Sequence, residues 1–150
     1  MHAVSFASMI GLAIISAAVS SGQSTASAVI VNSGSTNRSG YRITVDKSGS
    51  AKYVAIPRGV AAQKGVPMEA RERTIPEALA QRFYADVAAA RPFSSLPEIP
   101  CAKSASFGSV LRIEFGGAQT PDLSCGDGGN DKLKALIQDT GEITKIMTAQ

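Results

Sequence analysis

Residues 40–55 constrain the fold of this chain more tightly than any other stretch. Tyr41, Ile43 and Val45 alternate with Arg42, Thr44 and Asp46, the period of a strand with one buried face. Lys47-Ser48-Gly49 reads as a three-residue hairpin loop with Gly49 at its left-handed position. A loop of that length places Val45 opposite Ala51, Ile43 opposite Tyr53 and Tyr41 opposite Ala55. All six are apolar or aromatic and share one face, while Arg42, Thr44 and Lys52 take the other. A hairpin with one apolar face needs a second layer to cover it.

The rest of the chain supplies that layer. Residues 57–67 are aperiodic, with two Pro and two Gly, and form a loop. Met68 to Arg73 alternates weakly and adds a third strand. Thr74-Ile75-Pro76-Glu77 has the pattern of a capping box before a helix. In that helix Leu79, Phe83 and Val87 share a stripe with Ala80 and Ala90, and Gln81, Arg82 and Asp86 face away. Arg91-Pro92 ends it, and residues 92–105 form a proline-rich loop carrying Cys101.

Phe107 to Phe115 reads as the second clear strand, with Leu111, Ile113 and Phe115 on one face and Arg112 and Glu114 on the other. A three-residue loop at Gly116-Gly117-Ala118 brings Leu123 opposite Leu111, and Pro121 marks the return segment as an edge strand. After Cys125 a glycine-rich turn ends at Asn130, the expected N-cap of a last helix from Asp131 to about Met147. That helix carries Leu133, Leu136, Ile137, Thr140, Ile143 and Met147 on one side, and Gly141 weakens its middle by roughly 1 kcal/mol. The order β-β-(β)-α-β-β-α predicts an α+β two-layer sandwich: an antiparallel sheet of about four to five strands with both helices on one face. The open face then exposes Arg42, Thr44, Lys52, Arg112 and Glu114. This single domain is expected over residues 40–148, preceded by a flexible segment over 29–39.

Residues 1–28 read as a secretory signal peptide. The densest apolar stretch, Met9 to Val19, is about eleven residues long, where a membrane-spanning helix needs roughly 20. A small, polar segment follows, and Ala26-Ser27-Ala28 fits the small-x-small pattern read by signal peptidase. Cleavage after Ala28 is the first choice, with Ala18 and Ser24 as alternatives. The segment before the apolar run holds no Lys or Arg, which departs from the usual leader. An exported, oxidising destination makes Cys101 and Cys125 a disulfide pair, contributing roughly 3.5 kcal/mol by the loop-entropy argument.

Composition and spacing exclude more chemistry than they suggest. The net charge is +3 with scattered basic residues, and Trp is absent, so no basic stripe interleaved with aromatics marks a nucleic-acid surface. The only histidine, His2, lies in the leader, leaving no imidazole base for a nucleophile. Lys103 beside Ser104 or Ser106 offers a Ser–Lys arrangement, but the spacing is not S-x-x-K. Glu114 and Asp122 fall on one expected hairpin but on opposite faces, and no other spacing selects a carboxylate pair. Asp122, Asp127, Asn130 and Asp131 surround a glycine-rich turn without the spacing of a calcium loop. Asn130 as cap and Asp131 on the helix dipole explain that turn better. The same turn gathers backbone N–H groups but lacks a nucleotide-loop sequence. Neither metal nor cofactor is expected.

The segment CAKSASFG over 101–108, followed by TPDLSCGDGGN over 120–130, resembles small exported bacterial proteins of uncharacterised function. The resemblance covers roughly residues 40–147. It implies bacterial origin and export and supplies no catalytic residue. The resulting expectation is a non-enzymatic binding module in the periplasm or outside the cell, without a membrane span once the leader is removed. Its partner is expected to be a protein or a cell-envelope component. The candidate surface comprises Lys103, Ser104, Ser106, Asp127 and Asn130, gathered by the Cys101–Cys125 bond. The alternatives are a protease inhibitor presenting Lys103 and, last, a small hydrolase using Asp/Glu chemistry.

Overall fold

The computed structural model describes residues 27–149 apart from 59–61, 63, 66, 67 and 105. The expected leader therefore lies outside the described residues, except for its last two positions. Six strands form one antiparallel sheet: β1 (Ala28–Asn32), β2 (Gly40–Val45), β3 (Ser50–Ile56), β4 (Ala70–Thr74), β5 (Leu111–Phe115) and β6 (Ala118–Gln119). Their spatial order is β4-β3-β2-β1-β5-β6. Two helices, α1 (Glu77–Ala89) and α2 (Asp131–Thr148), cover one face. The α+β two-layer architecture is as the patterning predicts, with six strands instead of four to five.

The first hairpin has the expected register, with Val45 paired to Ala51, Ile43 to Tyr53 and Tyr41 to Ala55. Gly49 sits at φ 88°, and the Asp46 side chain accepts the Ser48 and Ser50 N–H groups across the loop. β4 joins β3 and places Glu72 opposite Lys52 on the open face, where the two form an ion pair.

The sheet differs from expectation at its centre. Residues 29–39 do not merely lead into the domain: Ala28–Asn32 is the strand between β2 and β5. The apolar run Ala28–Val31 lacks the polar alternation of a half-exposed strand because both its faces are at least partly covered. Ala28 and Ile30 are fully buried, and Val29 and Val31 are half-buried on the other side. Cross-strand pairing then lines up Tyr53, Ile43, Ile30 and Ile113 as the floor of the core.

α1 presses Leu79, Phe83 and Val87 onto that floor, and α2 adds Leu133, Leu136, Ile143 and Met147. The capping box does not form. Thr74 is part of β4, the Ile75 N–H donates to the Gly49 carbonyl, and helical structure starts after Pro76 without a side-chain cap. At α2 the expected cap is present: the Asn130 side chain accepts the Leu133 N–H at 3.0 Å.

The second hairpin also differs. Gly116 and Gly117 both take positive φ, 60° and 78°, and make a two-residue turn that pairs Phe115 with Ala118 and Glu114 with Gln119. Two consecutive positive-φ residues match the twist of adjacent strands, which a three-residue loop was not needed to supply. Beyond Thr120, whose N–H still donates to the Ile113 carbonyl at 3.0 Å, the chain leaves the sheet, so Leu123 reaches the core from a 3-10 turn (Leu123–Cys125) and does not pair with Leu111.

Candidate functional site

Residues 101–104 and 106–109 meet residues 122–126 at the end of the sheet where β5 begins. Cys101 and Cys125 are joined, with Cα atoms 5.4 Å apart. The expected strand from Phe107 is four residues too long, because residues 107–110 are outside the ladder and β5 begins at Leu111. Gly108 explains the break. Its N–H donates to the Ser104 carbonyl at 2.7 Å, and a Cβ there would lie 2.5 Å from that oxygen and 2.7 Å from the Lys103 Cβ. Only glycine admits so close an approach.

Lys103 locks this turn to the segment beyond β6. Its ammonium pairs with Asp122 Oδ2 and donates to the Ser109 carbonyl at 2.5 Å and the Ser124 hydroxyl at 2.7 Å. Asp122 Oδ1 accepts the N–H groups of Leu111 and Ser124, both at 3.0 Å. Burial opposes ionisation of Asp122, yet the Lys103 ammonium and the Ser124 and Leu111 donors outweigh it and hold its pKa down to about 2. The Lys103 side chain is 26% exposed, and its ammonium is engaged by Asp122, Ser109 and Ser124.

Of the candidate surface, Lys103 and Ser104 line one shallow groove of about 440 Å³ with both cysteines, Phe107 and Ser124. Ser106, Asp127 and Asn130 do not line it. The Ser106 N–H donates to the Ser104 hydroxyl at 3.3 Å, Asp127 Oδ1 accepts from Gly129 at 2.8 Å, and Asn130 caps α2. These three shape the loops around the groove.

Phe107 is the element that sequence patterning misplaces. It is 62% exposed and sits on the groove's rim instead of in a strand. Asp122 and Ser124 are likewise outside the expected set. Their signal is the Asp-x-Ser spacing, which makes an Asx turn through Ser124 N–H and Asp122 Oδ1.

Ser124 is a hydroxyl within reach of Lys103, whose ammonium is shared with the Asp122 carboxylate and the Ser109 carbonyl. Glu114 is bound to Arg42 at 2.6 Å on the open face, away from the Asp122–Lys103 pair. Among the described residues no group of three or more Cys, His, Asp or Glu is placed to hold a metal. No described helix is long and apolar enough to cross a membrane.

A second titratable cluster joins the helices. Arg82 Nε donates to Asp139 at 2.6 Å and its terminal nitrogen pairs with Glu142 at 2.8 Å. Asp139 is 1% exposed. Burial, helped by the neighbouring Asp86 carboxyl and opposed by Arg82, pushes its pKa up to about 6. This cluster lies in the α1–α2 seam, with no connection to the groove.

Comparison with protein-family models and with curated proteins finds no match.

Proposed function

We propose that this chain is an exported bacterial binding domain that engages a protein or cell-envelope component through the disulfide-side surface. Phe107 carries the reading. A phenyl ring 62% exposed is costly to leave in water, and aromatic side chains are enriched where proteins bind partners. Its loop is held by the Cys101–Cys125 bond, by the Gly108–Ser104 contact and by the Lys103–Asp122 pair. A loop ordered before binding loses less conformational entropy on association.

Export is supported by the apolar leader-like segment and by the disulfide, which forms and persists in oxidising compartments. Binding is preferred to protease inhibition because the residue an inhibitor would offer, Lys103, has its ammonium occupied by Asp122 and the Ser109 carbonyl. It is preferred to hydrolysis because Glu114 and Asp122 are each neutralised by a separate basic residue.

A photoreactive side chain placed at position 107 in the intact protein, irradiated with a cell-envelope fraction, tests this. The expected result is a discrete crosslinked product that is absent when the probe replaces Thr44 on the open sheet face. Identical products from both positions would refute the assignment.

A further inference from the structure

The start of β1 restricts where the export segment can be removed. Ala28 is fully buried and paired with Val45. Its N–H donates to the Tyr84 hydroxyl at 3.1 Å, and that hydroxyl donates to the Val45 carbonyl at 2.7 Å. Tyr84 thus clamps the beginning of β1 to the end of β2. A cut after Ala28 would delete the buried methyl group and the backbone donor of this clamp. It would also put a charged amino terminus on Val29, which pairs with Thr44 on one side and Glu114 on the other.

The remaining choices are few. A cut after Ala18 falls inside the apolar stretch Met9 to Val19 and would leave Val19 on the mature chain. A cut after Ser24 places serine, not alanine, at the cleaved position. Ser24-Thr25-Ala26 offers alanine there and a small residue two positions before it, the A-x-A-like pattern signal peptidase reads. Ser27 precedes Ala28, the first paired residue of β1, so an amino terminus at Ser27 keeps the β1–β2 ladder and the Tyr84 clamp whole.

We propose that export processing cuts the Ala26–Ser27 bond and leaves Ser27 as the first residue of the mature domain. Hydrolysis adds water across this peptide bond, leaving a carboxylate on Ala26 and an ammonium on Ser27. The inference rests on the export reading above and goes beyond it by naming the bond.

The full chain, produced in a bacterial host and recovered from the exported fraction, tests this by intact mass and amino-terminal sequencing. The expected sequence begins Ser27-Ala28-Val29. Ser24→Lys removes the small residue needed before Ala26 but leaves Ala26-Ser27-Ala28 intact, so this variant is expected to lose that product. A wild-type product beginning at Val29, or a Ser24→Lys chain still cut before Ser27, would overturn the site while leaving export standing. A full-length, uncleaved wild-type chain would overturn both.

Discussion

Removing the Asp122 carboxylate strips an acceptor from the Leu111 and Ser124 N–H groups and from Lys103 at once. Asp122→Ala is therefore expected to cost about 2 kcal/mol in urea unfolding, since one part-buried donor, one exposed donor and the Lys103 ammonium lose their partner together. Lys103→Ala is expected to cost less, about 1 kcal/mol, because Asp122 keeps its backbone donors. Equal losses for the two variants would contradict this ranking. The two shifted aspartates give opposite pH dependences. Asp122, held below its ordinary 3.8 at about 2, binds protons more weakly when folded, so its contribution is present above pH 4 and is lost as pH falls toward 2. Asp139, raised from 3.8 to about 6, binds protons more strongly when folded, so stability falls as pH rises from about 4 to 6. Asp139→Asn keeps an acceptor for Arg82 and removes the titration. The wild type should lose stability relative to this variant across that window, and parallel pH profiles would count against the account. Neither role was legible from the residues alone: helical spacing turns Asp86 away from the stripe and leaves Asp139 unremarked, and only the packing of α1 against α2 buries it.

At the scale of elements, the first hairpin was readable because pattern and loop length agree on a single register. Shifting it by one residue would turn Ile43 and Val45 to the open face. The second hairpin gave no such agreement. Gly116-Gly117-Ala118 admits a two- or a three-residue turn, and the apolar match of Leu123 with Leu111 favours the wrong one because Leu123 is buried by another route. A short apolar run beside a small-residue leader carries no period, so the place of β1 becomes visible only once β2 and β5 flank it. The groove suffered from the same ambiguity. Phe107 extends the alternation of Leu111, Ile113 and Phe115 by two positions, and nothing in that period reveals the close approach at Gly108. Gly108→Ala is expected to destabilise the domain by about 1–3 kcal/mol through overpacking against Ser104. A thermal melt indistinguishable from wild type would show that the loop accommodates a methyl group freely.

For the whole molecule, the two-layer core and the disulfide-side surface are separable. The core is built from the Tyr53–Ile43–Ile30–Ile113 row and the stripes of α1 and α2, none of which includes the cysteines. Cys101→Ser/Cys125→Ser should thus fold to the same sheet but lose about 3 kcal/mol of stability. We infer that the bond, together with the Lys103–Asp122 pair, holds residues 101–104, 106–109 and 122–126 as one rigid surface. Amide hydrogen exchange on the oxidised protein and on the double-serine variant measures this most directly. Faster exchange is expected in the variant at Gly108, Ser124 and Cys125, with Ile30, Ile43 and Ile113 still protected. Unchanged exchange at those three loop amides would contradict the claim.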